Sequence, residues 1–159
     1  MTENLHVAAV DLGATNIRTG LIRRDGTVIA FRAEEVPKNS CADGSVITER
    51  IAAMITSMTK ETGITPNAIG ISTAGPVNQK AGSVVGSPNM NCSEIFLRDP
   101  LASLFHIPAV MLSDCKAGAV GAYFFGGADT AHTLVYLTIP TGLGCWVIAN
   151  GSLLSGASG

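Results

Sequence analysis

Residues 5–18 read Leu5-His6-Val7-Ala8-Ala9-Val10-Asp11-Leu12-Gly13-Ala14-Thr15-Asn16-Ile17-Arg18. An apolar, β-rich run carries a carboxylate near its end and breaks at once into a short Gly/Thr loop. Ile17 to Ile22 is β-rich again, Arg23-Arg24-Asp25-Gly26 follows, and Thr27 to Ala33 makes a third run. Asp-Gly between two such runs is a hairpin signal, because glycine accepts the positive φ that tight hairpin turns require. The spacing predicts three antiparallel strands at the start of the chain.

Beyond them the period changes. Val46, Ile47, Ile51, Met54, Ile55 and Met58 recur at helical spacing, with Asp43 or Ser45 as candidate caps and Gly63 as the stop. Ala68 to Thr73 reads as a buried strand running into Ala74-Gly75-Pro76, and residues 77 to 98 read as loop. Asp99-Pro100 predicts a short helix through Phe105 with proline at its first position. Pro108 to Leu112 reads as a strand and Asp114 to Phe125 as a helix. After Gly126-Gly127 the opening pattern returns: a strand at Leu134 to Ile139, the loop Pro140-Thr141-Gly142-Leu143-Gly144, a strand at Trp146 to Ala149, and the turn Asn150-Gly151. The echo predicts two related domains.

Composition narrows the class. Of 159 residues, 47% are hydrophobic but only 14% are charged, against about a quarter in ordinary globular chains. The net charge of −2 and the lack of a basic cluster exclude a nucleic-acid-binding module. Gly and Pro interrupt every apolar run, so no membrane span is expected. Nothing at the N-terminus reads as a signal peptide, and the expectation is a cytoplasmic protein. Cys41, Cys92, Cys115 and Cys145 are widely spaced with no C-x-x-C, which predicts reduced thiols and no zinc site. His6, His106 and His132 have no carboxylate or cysteine at ligand spacing and take structural or surface roles. From Ala117 to Gly159 the only charged residue is Asp129. A solvent-facing surface usually carries charge, so this stretch is expected to pack on something else, in a longer protein of which the chain is a piece.

The order β-β-β-α-β-α-β-α followed by a new β-hairpin resembles the actin-like ATPase (ribonuclease H-like) fold. Within it, five segments resemble the ROK group of sugar kinases and sugar-responsive repressors. They are Asp11-Leu12-Gly13-Ala14-Thr15-Asn16-Ile17-Arg18, Ser72-Thr73-Ala74-Gly75-Pro76-Val77, Gly86-Ser87-Pro88-Asn89-Met90, Ser113-Asp114-Cys115-Lys116-Ala117-Gly118-Ala119-Val120-Gly121 and Thr141-Gly142-Leu143-Gly144. The resemblance implies an α/β domain with a mixed sheet over residues 1–128, on the sugar side. Residues 129–159 would begin the nucleotide-side domain, truncated after its first hairpin.

The resemblance also implies roles. Asp114 would be the general base for a sugar hydroxyl, and it also suits an N-cap. Asp11 would orient the water shell of Mg²⁺, while Gly13, Thr15 and Asn16, with Thr141, Gly142 and Gly144, would hold the phosphates of ATP. Gly75, Pro76, Asn89 and Ser113 would line the sugar site beside Asp114. The activity implied is ATP-dependent phosphorylation of a hexose or amino sugar by a homo-oligomeric full-length enzyme; the alternative is a non-catalytic sugar-sensing module. Only ten residues precede Asp11, leaving no winged helix-turn-helix ahead of it and favouring the kinase. The chain departs from the family pattern at three places: Ser113 stands where Asn is usual, Cys145-Trp146 where glycines are usual, and Ala122 where Glu is common. An indole at 146 is expected to crowd the phosphates.

Overall fold

The computed structural model describes residues 5–37, 44–87, 92–139 and 144–154. Two compact units divide the chain, Met1–Leu112 and Ser113–Gly159. In the first, β1 (His6–Leu12), β2 (Asn16–Arg23) and β3 (Val28–Glu35) form the expected antiparallel meander. The β2–β3 turn is closed by Asp25, whose carboxylate accepts the Thr27 amide at 2.9 Å. That bond holds the Asp25 carboxyl below its ordinary range. Helix α1 (Ser45–Thr62) leads to β4 (Ala68–Thr73), which pairs with β1 in parallel. After β5 (Val77–Asn78), β6 (Ser83–Ser87), β7 (Cys92–Phe96) and α2 (Arg98–Phe105), strand β8 (Ala109–Ser113) joins the main sheet, whose order is β3-β2-β1-β4-β8.

Alternation along β1 decides which face becomes core. Ala8, Val10 and Leu12 are buried, and the register sets them beside Leu21, Thr19 and Ile17 of β2 and Ile69, Ile71 and Thr73 of β4. Onto this face α1 lays Ile47, Ile51, Met54 and Ile55, which belong to the same apolar cluster. Side chains of this size contribute about 1.5–3 kcal/mol each when fully buried, before chain entropy is subtracted. The residues between them, Asp11 included, face the other way.

Three local expectations are corrected. Residues 77 to 98 are not loop throughout: β5, β6 and β7 form an antiparallel sheet in that order, burying Val84 and Ile95. Its strands are short and polar, so alternation was too brief to read; Ser83 is itself buried and donates to the Glu94 carboxylate at 2.5 Å. Helix α2 starts at Arg98, which puts Pro100 third in the helix. Proline is tolerated there because first-turn amides have no intrahelical acceptor. The N-cap of α1 is Gly44, at φ 72, with no side-chain cap bond, and Ser45 is the first helical residue; Asp43 lies outside the described residues.

In the second unit, α3 (Asp114–Phe125) is followed by β9 (Thr133–Thr138), β10 (Gly144–Ala149) and β11 (Ser152–Leu153), an antiparallel sheet of order β11-β10-β9. Asn150 and Gly151 take φ 50 and 76, the paired positive values of a type I′ hairpin turn. Ala119 and Tyr123 of α3 pack with Ile148, Leu134, Tyr136 and Trp146. On the opposite face of β9, Val135 and Leu137 are each 54% exposed. The expected division after residue 128 and the compact boundary at Ser113 differ because α3 packs on β9 and β10. Among the described residues no helix is long and apolar enough to cross a membrane.

Two glycines that flank α1 separate two costs. A Cβ on Gly44 would lie 3.0 Å from the Glu94 carbonyl oxygen at φ 72, whereas one on Gly63, at φ 69, would meet nothing within 4 Å. Gly63→Ala should therefore cost about 1 kcal/mol from backbone strain alone, and Gly44→Ala about 2 kcal/mol or more. Urea unfolding of the two variants checks this; equal losses would contradict it.

Candidate functional site

The first cluster lies where β1 turns into β2. Leu12 and Ile17 are the last cross-strand pair before the loop, and the Gly13 amide donates to the Asn16 carbonyl at 2.9 Å, closing it. A Cβ on Gly13 would lie 3.3 Å from that same oxygen, a tight contact that favours glycine. The Asn16 side-chain amide donates to Thr15 Oγ1 at 2.9 Å. This occupies a lone pair of the hydroxyl and leaves its proton to be donated outward, to an acceptor such as a phosphate oxygen. Thr15 is exposed, and its carbonyl accepts the Val36 amide just past β3.

Asp11 projects from the face opposite the core. Arg18, its cross-strand partner, donates to Asp11 Oδ2 at 2.9 Å, with the two side chains 42% and 50% exposed for Asp11 and Arg18 respectively. A pair this exposed contributes about 0–1 kcal/mol, so it does not lock the carboxylate away from a hydrated cation. Sequence reading assigned Arg18 no role, although the hairpin register sets it opposite Asp11. Among the described residues no group of three or more His, Cys, Asp or Glu could hold a metal ion. Mg²⁺ that keeps its waters and binds mainly to substrate phosphates needs only one or two carboxylates, and Asp11 fits that need.

Gly75 and Pro76 belong to the same strand ends. Leu12 and Thr73 are parallel partners, and the Ala74 amide donates to the Leu12 carbonyl at 2.9 Å. Both loops thus leave from neighbouring strands in one row. Gly75 has φ 110, a value that side chains rarely tolerate, and the Pro76 carbonyl accepts the Val85 amide.

The second cluster surrounds the first turn of α3. Asp114 is the first helical residue and Ser113 the N-cap, which corrects the cap expected at Asp114: β8 runs one residue further than its apolar pattern. The Asp114 carboxylate accepts the Cys115 amide through Oδ1 at 2.7 Å, and a negative charge in a first turn is favoured by the helix dipole. Ser113 makes no side-chain cap bond; its Oγ is buried and has no hydrogen-bond partner among the described residues. An orphaned hydroxyl costs about 1–3 kcal/mol.

Gly144 sits against this turn. A Cβ there would lie 2.5 Å from Thr138 Oγ1, which would have to rotate away, and 3.6 Å from Cys115 Sγ, an ordinary contact. The indole of Trp146 lies on the α3 side of β10, with the Lys116 ammonium 4.7 Å from its centroid. Lys116 was also assigned no role, though it stands three, four and seven residues before Ala119, Val120 and Tyr123 on the packed face. Asn89, Thr141 and Gly142 lie outside the described residues.

Comparison with known proteins now adds to this geometry. The ROK family model matches residues 7–159. A glucokinase of Streptomyces coelicolor is 29% identical over 150 residues, covering 94% of this chain and 45% of that protein. The xylose repressor of Bacillus subtilis is 29% identical over 152 residues, covering 94% of this chain and 39% of the repressor. A crystal structure of a ROK family glucokinase from Streptomyces griseus, in complex with glucose and AMPPNP, superposes with a TM-score of 0.77 at 27% identity, over 95% of this chain and 46% of that one. The chain therefore spans less than half the length of these relatives. The mixed sheet opened by an antiparallel meander is the actin-like ATPase fold of ROK sugar kinases, and the chain belongs to the ROK family.

Proposed function

We propose that this protein phosphorylates a sugar hydroxyl with ATP as donor. On this reading residues 1–128 supply the sugar-side domain and residues 129–159 the first part of the nucleotide-side domain. The observation that carries it is the head of α3, where, among the described residues, the Asp114 carboxylate is bonded through one oxygen and stands beside a buried hydroxyl that lacks a partner. Oδ1 of Asp114 is held by the Cys115 amide. The other oxygen is left to take the proton of the attacking sugar hydroxyl, as its oxygen bonds to the terminal phosphorus and ADP leaves. Ser113 Oγ, with Asn89 and the Gly75-Pro76 loop, would hold the sugar. Gly13, Thr15 and Asn16, with Thr141, Gly142 and Gly144, would face the phosphates, and Asp11 would hold a water of Mg²⁺. Mg²⁺ supplies charge neutralisation of the phosphates. The reading carries with it a cytoplasmic homo-oligomer.

A second reading, a sugar-responsive module without turnover, is favoured by one observation: the repressor and the glucokinase are equally similar to this chain. The two part on a single assay. A panel of hexoses and amino sugars with ATP should yield a phosphorylated sugar for the kinase; saturable sugar binding with no turnover supports the module.

Asp114→Asn should lower kcat by about a thousandfold or more while sugar affinity stays within about tenfold, measured by coupled assay and calorimetry. Near-normal turnover would leave Asp114 a helix-start residue only. Ser113→Ala separates ligand from scaffold. A working N-cap serine costs about 1 kcal/mol when removed, but here thermal unfolding should show no loss, or a slight gain, alongside weakened sugar binding. A loss of stability with unchanged sugar affinity would contradict this.

A further inference from the structure

Strand β8 lies at one margin of the main sheet, with β4 on its inner side. The Pro108 carbonyl accepts the Ile69 amide. Bonding directions alternate along a strand, so Val110 and Leu112 also face β4, and Met111 turns its carbonyl to the open edge. Met111 is 3% exposed, so water does not serve that carbonyl. A side chain does: Gln79 donates to it through Nε2 at 2.9 Å. Gln79 itself stands at the exposed turn between β5 and β6, three residues after Pro76, yet directs its amide inward.

Arg98 holds the same turn from another side. Its Nη1 donates to the Gln79 carbonyl at 2.6 Å and its Nη2 to the Lys80 carbonyl at 3.3 Å, while Nε donates to Asp99 Oδ1 at 2.6 Å. Gly82 closes on that side chain, since a Cβ there would lie 2.8 Å from Arg98 Cβ, and its carbonyl accepts the Leu97 and Arg98 amides. The beneficiary is the Gly75-Pro76 turn just upstream. Strand β5 has two residues and pairs with β6 on one side, a short anchor for the loop before it. Pro76 offers the Val85 amide its carbonyl but has no N–H of its own. We propose that Gln79 is a positioning residue for sugar recognition: braced by Arg98, its side chain pins the hairpin that carries Gly75-Pro76 to β8. The inference deepens the proposed function and rests on it for the sugar that Gly75-Pro76 would line; Gln79 acts through the turn.

The full chain is titrated by calorimetry, without nucleotide, with the panel of hexoses and amino sugars. Gln79→Leu keeps the bulk but donates nothing. Gln79→Glu keeps the shape but, ionised at about pH 8, presents only acceptors to the Met111 carbonyl. Each should weaken binding of the responding sugar about tenfold, while Gln79→Lys, which keeps a donor, stays within about threefold. Arg98→Met should weaken it too, and the double variant with Gln79→Leu should lose no more than the worse single, because the two side chains act in series. Circular dichroism checks that each variant is folded. Sugar affinity unchanged in Gln79→Leu, whatever its unfolding temperature, overturns the proposal, as do a wild-type chain that binds no sugar of the panel and single losses that multiply in the double variant. The two readings fail separately: sugar binding that depends on Gln79, in a protein that phosphorylates no sugar, sinks only the kinase. Phosphorylation with an unchanged sugar KM in Gln79→Leu sinks only the role of Gln79, whereas a raised sugar KM at unchanged ATP KM supports it.

Discussion

β1 is paired on both edges, antiparallel to β2 and parallel to β4, and that double pairing fixes everything placed on it. Because side chains alternate along a strand, neighbouring residues have opposite duties. Leu12 is fully buried under α1, while Asp11 leaves the other face toward Arg18. A slip of one residue would bury the carboxylate and expose the leucine, so the apolar core enforces the position of the charged group. The same register ends β1 and β4 in one row, which is why a phosphate-loop candidate and the Gly75-Pro76 turn emerge side by side.

The second unit solves a different problem with different means. Its sheet carries almost no charge, and α3 covers one face through small residues. Gly118 makes room for the Tyr136 ring, and Gly144 for Thr138 and Cys115. Tyr123 reaches the carbonyls of Asp129 and Ala131 with its hydroxyl, satisfying backbone groups in the connection between helix and sheet. Gly144, which belongs to the segment that resembles a nucleotide motif, thus has a packing duty of its own in this fold.

What was legible in the sequence follows from range. The three opening strands, α1, β4 and α3 rest on local periodicity and turn chemistry, and their observed bounds fall within a residue or two of the expected ones. β5 to β7 were missed because strands of two to five residues, rich in Ser, Gly and Asn, offer too few alternations to distinguish from loop. At the candidate site, Asp11, Gly13, Ser113 and Asp114 were singled out through motif resemblance. Arg18 and Lys116 were not, since their partners are set by strand register and helix docking. The freed hydroxyl of Ser113 was invisible for the same reason: nothing in the order Ser-Asp says which residue opens the helix.

The bond from the Val36 amide to the Thr15 carbonyl joins the loop at the end of β1 to the outermost strand of the sheet. Thr15 directly precedes β2 and Val36 directly follows β3, so this bond carries the pairing of the two strands one step past Asn16 and Glu35. Val36 therefore inherits a rule from the loop it braces: it must keep its N–H. Proline is barred from position 36 on that ground, and the chain places its proline one step later, at Pro37.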